Sequence, residues 1–194
     1  MIDKVFISAQ QLLEDSYRLG KQVLDSGYNP NFLVGLWRGG TPVGIAVQEY
    51  LAYHEIKNDH ISIRTSRYHG IDDALSTTNV HNLEYLIRQS NAEDRLLLVD
   101  DVYDTGLTIK AVIENLDKKM RKNIPQIKVA TIYYKPEKNQ TSRKPDFYLH
   151  ETDKWLVFPH ELNGLTDEEI RQGKGEEIYA LLNKNNVKTP HIRA

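Results

Sequence analysis

Leu96-Leu97-Leu98-Val99-Asp100-Asp101-Val102-Tyr103-Asp104-Thr105-Gly106-Leu107-Thr108 runs from four apolar residues into two adjacent carboxylates, a third acid and a hydroxyl-glycine turn. Four consecutive apolar residues leave no polar face, which suits a central strand of a parallel sheet covered by helices on both sides. Such sheets bind ligands beyond the carboxyl ends of their strands, where Asp100 and Asp101 fall. Thr105-Gly106-Leu107-Thr108 then opens a helix whose apolar Val112, Ile113 and Leu116 recur at helical spacing. A helix start offers backbone N–H groups, and here two hydroxyls and a glycine that admits close approach join them, as a phosphate monoester requires. The Asp pair can accept hydrogen bonds from vicinal ribose hydroxyls or approach a hard divalent cation. Together these features suit a ribose phosphate.

On either side of this stretch, strands and helices alternate. Ser8 and Gln11 form a capping box for a helix carrying Leu12, Leu13, Leu19, Val23 and Leu24, which Gly27 stops. Phe32 to Leu36 reads as a first apolar strand, and Pro42 starts a helix whose face of Val43, Ala46, Val47, Tyr50 and Leu51 lasts until His54. Ile61 to Arg64 is the next short strand. From Ser66 to Asn82 the chain turns polar and loses its period, which predicts a long surface loop acting as a mobile lid. Val80 to Arg88 fits a helix or a short hairpin strand equally. Ile127 to Tyr134 is another buried strand, ended by Lys135-Pro136.

Phe147 to Glu151 alternates like an edge strand, and Trp155 to Phe158 is a short apolar segment. Thr166 and Glu169 make a second capping box, for a terminal helix through Ile170, Ile178, Leu181 and Leu182. The fold class expected is α/β, a doubly wound, mainly parallel sheet flanked by helices, with a small hood subdomain. One domain over 1–194 is expected, with its core at about 28–135 and a hood from 136–165 that terminal segments can join.

A second candidate site follows the first strand, at Arg38-Gly39-Gly40. Two glycines beside an arginine, at a strand end and before a helix, expose backbone N–H groups next to a fixed positive charge, which suits pyrophosphate. In a doubly wound sheet this loop and the Asp-Asp loop open onto the same edge. Composition agrees with an enzyme domain: 194 residues, 40% hydrophobic, 27% charged, net charge −2. With no cysteine, disulfides and thiolate zinc are excluded and any metal must use oxygen or histidine. The start lacks a basic region followed by an apolar core, and no apolar run approaches the ~20 residues of a membrane span. A cytoplasmic protein is expected, with no membrane partner. The balanced charge, without a basic stripe, argues against nucleic acid.

The thirteen-residue string resembles the phosphoribosyl-diphosphate (PRPP) motif of the type I phosphoribosyltransferases, and the Arg-Gly-Gly loop resembles that family's pyrophosphate loop. The resemblance covers roughly Phe32 to Glu161 and implies PRPP as substrate, held by Arg38, Gly39, Gly40, Asp100, Asp101, Thr105, Gly106, Leu107 and Thr108. Three features resemble the purine branch that acts on hypoxanthine, guanine or xanthine. Asp104 matches the acid that exchanges a proton with the ring nitrogen joining ribose, although an acid before Thr-Gly can also simply cap the helix. Lys135, followed by Pro136, matches the lysine that donates to the purine 6-oxo group. Asp153 to Glu161 matches the segment in which an aromatic ring, here Trp155, stacks on the base and the next carbonyl, of Leu156, meets its edge.

In that segment an acid after the proline completes a metal site. Magnesium is the implied cofactor, with Asp100, Asp101 and Glu161 as its ligands. The segment departs from the family at His160, where an indole is usual, and at Glu161, which lengthens the expected aspartate by one methylene. Ser66-Arg67-Tyr68 resembles the mobile catalytic loop, with Arg67 interrupting its usual Ser-Tyr pair. The implied reaction is purine salvage by transfer of the 5-phosphoribosyl group to a 6-oxopurine, releasing pyrophosphate. The alternatives are a pyrimidine or adenine acceptor, or a non-catalytic sensor of PRPP or nucleotides. A homo-oligomer, dimer or tetramer, is expected.

Overall fold

A computed structural model describes residues 4–68 and 77–182, without side-chain placement at 67–68 and 77–79. The chain divides into two compact units, one spanning Gln10–Lys154 and the other combining residues up to Ala9 with those from Trp155 onward. The larger unit carries the long apolar runs. It contains helix α1 (Ala9–Asp25) from its second residue, strand β2 (Phe32–Trp37), helix α2 (Gly40–Tyr53), strands β3 (Asp59–Tyr68) and β4 (Thr77–His81), helix α3 (Glu84–Gln89), strand β5 (Arg95–Tyr103), helix α4 (Leu107–Met120), and strands β6 (Gln126–Tyr134) and β7 (Phe147–Glu151).

Among the described residues these strands form one six-stranded sheet in the order β4-β3-β2-β5-β6-β7. All neighbours are parallel except the β3–β4 hairpin. The chain winds outward from β2 through β3 on one side and from β5 through β6 on the other, so the adjacent β2 and β5 mark the topological switch point. The expected doubly wound class is the one observed.

One sheet face buries Phe32, Val34, Leu36, Ile63, Leu96, Leu98 and Val129 against Leu83 and Leu86 near and within α3 and Ile109, Val112 and Leu116 of α4. Fully buried leucines of this kind each contribute about 2 kcal/mol of transfer free energy. The other face takes α2, which crosses β2 and β5 closely because Gly44 and Gly35 meet with almost no intervening side chain.

The smaller unit is built on a two-stranded parallel sheet, β1 (Lys4–Phe6) with β8 (Trp155–Val157). Helices α5 (Asp167–Lys174) and α6 (Glu176–Leu182) follow. The expected capping box at Thr166 and Glu169 is present, but the single terminal helix is two, because Gly175 at φ 100° cannot continue it. The region placed in the hood, 136–165, divides differently: β7 completes the large sheet, and the small unit begins at Trp155 and includes β1, whose three residues are too short to show a period. Two further boundaries move. The described parts of the polar stretch read as a lid from Ser66 to Asn82 are mostly strand, because Ser66 pairs with Asn79 and Arg67 with Thr78. Its middle, residues 69–76, lies outside the described residues, as does the tail beyond Leu182. Val80 to Arg88 holds the end of β4 and then α3. Among the described residues no helix is long and apolar enough to cross a membrane.

Candidate active site

β2 and β5 pair from Phe32↔Leu96 to Gly35↔Val99, and there the ladder between them stops. β5 does not stop with it. Pairing with β6 continues through Asp100↔Thr131, Val102↔Tyr133 and Tyr103↔Tyr134, so Asp100 and Asp101 lie within the strand rather than just past it. Into the space left beside them comes the turn after β2. The Trp37–Arg38 peptide is cis, Arg38 is exposed, and Thr41 N–H donates to the Arg38 carbonyl at 3.2 Å.

The two loops touch through the glycines. A Cβ on Gly39 would overlap the Asp101 carboxylate, and one on Gly40 would overlap the Val99 carbonyl oxygen and stand 2.8 Å from Asp100 Cα. Gly39 has φ −66°, open to any residue, so it is required for space and not for its dihedral. Asp101 is 7% exposed. Asp100 Oδ1 accepts from Asp101 N–H at 3.0 Å. Burial, and then the neighbouring Asp101 charge, push the Asp100 carboxyl well above the usual carboxylate range, while N–H groups of Asp101 and Gly40 oppose the shift. A like-charged pair under that penalty attracts a cation. Asp100 and Asp101 therefore fit a divalent ion completed by oxygens of a phosphorylated ligand, the usual pattern for magnesium.

Past Tyr103 the chain turns at Asp104-Thr105-Gly106 into α4. The helix starts at Leu107, two residues later than the first hydroxyl suggested, because Gly106 at φ 75° is its N-cap. That cap has no side chain to accept from the first turn, and Thr105 Oγ1 reaches Leu107 N–H only at 3.4 Å. The helix start thus keeps its anion-binding capacity. It also answers the capping question for Asp104, which is not the cap. Asp104 Oδ2 lies 3.5 Å from Lys135 Nζ, and Oδ1 is buried with no hydrogen-bond partner. Lys135, just past β6, is itself only 5% exposed. Parallel pairing of β5 with β6 brings together two residues 31 positions apart in the chain. Nothing local in the sequence signals this pair.

The remaining candidates are more scattered. Ser66 Oγ lies 3.1 Å from His81 Nε2 across the hairpin, a partner the sequence did not suggest. Arg67 and Tyr68 have strand backbone, and their side chains lie outside the description. Trp155, Leu156 and Glu161 belong to the smaller unit. There Trp155 is 52% exposed, Leu156 is buried opposite Val5, and a Glu161 carboxylate oxygen accepts from Phe158 N–H at 3.1 Å. Among the described residues no group of three acidic or histidine side chains forms a metal cluster; Asp100 and Asp101 belong to the larger unit and Glu161 to the smaller.

Fold and site together define a doubly wound α/β protein with carboxylate, glycine and helix-terminus loops at its switch point, the place where such sheets bind phosphorylated ligands. Residues 7–163 match the phosphoribosyl transferase domain, and the chain belongs to that family. Among solved structures, it is similar to a purine phosphoribosyltransferase from Pyrococcus horikoshii, with 29% identity and a TM-score of 0.69 over 85% of this chain and 99% of that one. A xanthine-guanine-hypoxanthine phosphoribosyltransferase from Helicobacter pylori shares the fold at 22% identity, TM-score 0.64, over 83% and 96%. So does a hypothetical protein from Neisseria gonorrhoeae with bound ppGpp, at 16% identity, TM-score 0.67, over 90% and 97%. No curated sequence matches the chain.

Proposed function

We propose that this phosphoribosyltransferase transfers the 5-phosphoribosyl group of PRPP to a 6-oxopurine, giving the nucleoside monophosphate and pyrophosphate in purine salvage. The observation that carries the choice of base is the Asp104–Lys135 pair. A buried ammonium at a strand end, with one carboxylate beside it, can donate to an oxo acceptor and is mismatched to an exocyclic amine. The buried, unpartnered Oδ1 of Asp104 is an acceptor waiting for a donor, and the N–H of the purine's five-membered ring supplies one.

In the reaction the ring nitrogen bonds to ribose C1′ as the C1′–oxygen bond breaks and its electron pair leaves with pyrophosphate. Asp104 takes the nitrogen's proton. Asp100 and Asp101 orient the ribose hydroxyls, Thr105 to Thr108 hold the 5-phosphate, and Arg38 with the N–H groups of Gly39 and Gly40 receives the pyrophosphate. Magnesium, bound to the Asp pair, would neutralise charge on the diphosphate. Trp155 keeps the stacking role implied by resemblance, with its exposed indole available on its own unit. Catalysis here is chiefly positioning and electrostatics, since charges ~4 Å apart interact by about 1 kcal/mol in water but about 4 at an effective dielectric near 20.

Pyrophosphate release from PRPP with hypoxanthine, guanine, xanthine, adenine and uracil tests the reading. Turnover with at least one 6-oxopurine and none with adenine or uracil is expected. Turnover with adenine or uracil alone moves the chain to another acceptor class, and no turnover with any base makes it a sensor.

A further inference from the structure

Tyr103, the last residue of β5, is 1% exposed and touches three pieces of the site at once. Its carbonyl accepts from Lys135 N–H at 2.9 Å. Its ring lies against Gly106, where a Cβ would stand 2.6 Å from a ring carbon and 2.9 Å from Thr141 Oγ1. Its hydroxyl donates to the Arg143 carbonyl at 3.0 Å and lies 3.0 Å from Thr141 Oγ1. The segment it grips is a knitted turn. Thr141 N–H donates to Asn139 Oδ1 at 2.9 Å, and Asn139 Nδ2 donates to the Arg143 carbonyl at 2.8 Å. That turn reaches back to the phosphate loop, because Gln140 N–H donates to the Thr105 carbonyl at 3.0 Å.

A closed path therefore surrounds Gly106: the Tyr103 ring and hydroxyl, Thr141, Gln140 N–H, the Thr105 carbonyl. Between the turn and α4 lies a cavity of about 240 Å³ bordered by Lys110, Ile113 and Arg143. With open space on that side, hydrogen bonds rather than packing fix the turn.

We infer that Tyr103 and Thr141 are positioning residues that hold the 5-phosphate loop in its binding conformation, through the 139–143 turn. The inference rests on the reading that Thr105 to Thr108 hold the 5-phosphate. A loop pre-set by a bracket binds phosphate without first ordering its own N–H groups, and loss of the bracket returns that cost to binding. The effect falls on ligands carrying the 5-phosphate and spares the free base.

The test compares Tyr103→Phe, Thr141→Val and Thr141→Ser with the wild type, with GMP titrated by calorimetry and steady-state kinetics measured for both substrates. The Tyr103 hydroxyl has two hydrogen-bond partners and the Thr141 hydroxyl three; since one neutral hydrogen bond corresponds to roughly a two- to tenfold change, the GMP Kd and the PRPP KM should rise by at least about that factor in Tyr103→Phe and Thr141→Val. The purine KM and kcat should stay within about twofold, a split that general destabilisation does not produce. Thr141→Ser, which keeps the hydroxyl, should restore wild-type GMP binding. Thr141→Val, at a half-buried position, carries the test if Tyr103→Phe does not fold. Wild-type GMP affinity in the folded variants, or a parallel loss in every kinetic constant, overturns the inference. Gly106→Val separates the two levels. If it too binds GMP normally, the phosphate lies elsewhere and the underlying reading falls with the inference; if it alone loses GMP, only the bracket is wrong.

Discussion

The β2–β5 switch point and the β3–β4 hairpin both contribute candidate site residues, and they are built on opposite principles. β2 is buried along five of its six residues and β5 along most of its length, so their ends are held by core packing on both faces of the sheet. Their glycines abut carboxylates with no room for a methyl group. The hairpin ends at the sheet margin in β4, and its one described side-chain contact near the site, Ser66 to His81, is exposed. In the proposed reaction the groups that meet the substrate at fixed distances come from the central strands, and the exposed margin contributes less per side chain.

The contrast is sharpest at Gly40. Gly40→Val places a branched side chain on the Val99 carbonyl and forces apart the two loops, so phosphoribosyl transfer should fall by about 100-fold or more, the scale of an ångström-sized misplacement. Wild-type PRPP kinetics in that variant would show that the loops need not touch. Next comes Lys135→Ala. Removing a charged donor worth roughly 1.5 to 3 kcal/mol should raise the purine KM about ten- to a hundredfold and leave the PRPP KM nearly unchanged. Equal effects on both substrates would detach Lys135 from the base.

Asp100 gives a smaller and opposite effect, on stability. Its carboxyl is raised in the folded state by burial and by Asp101, so the folded protein prefers it protonated. The corresponding stability is present below the unfolded value of about 4 and is lost as pH rises through the folded value. Without divalent ions, Asp100→Asn should therefore melt higher than wild type at pH 7, and the gap should close toward pH 4. A variant that melts lower at pH 7 contradicts the burial argument. The smallest effect belongs to the margin: Ser66→Ala should change unfolding stability by no more than about 0.5 kcal/mol and PRPP affinity by no more than about twofold. A tenfold loss of PRPP affinity would place Ser66 among the fixed groups and erase the contrast.

What could be read in advance follows the same division. Leu96 to Val99 and Phe32 to Leu36 are apolar without interruption, so their strands, their adjacency at the switch point and the loops after them were visible. The hairpin reads as loop in the sequence because Ser66 to Asn82 is mostly polar and has no period, whereas strand pairing such as Ser66 with Asn79 is a backbone contact that no side-chain pattern there encodes. In the small unit the capping box, the helical pattern after it and the apolar segment at Trp155 are legible, but the strand pairing is not. β1 is three residues long, and its partner β8 is about 150 residues away in sequence, a pairing no local period encodes. The Asp104–Lys135 contact and the Tyr103–Thr141 bracket are hidden for a related reason, since each joins residues more than 30 positions apart in the chain.

Asp104→Asn tests the central claim most directly. The amide preserves shape but cannot take the purine's proton, so with a 6-oxopurine and PRPP turnover should fall roughly 100-fold or more, the scale of a lost general base. PRPP affinity measured by calorimetry on the same sample should remain within about twofold of wild type. Undiminished turnover in the folded variant would mean that Asp104 receives no proton, and the assignment of the Asp104–Lys135 pair to the purine would be wrong.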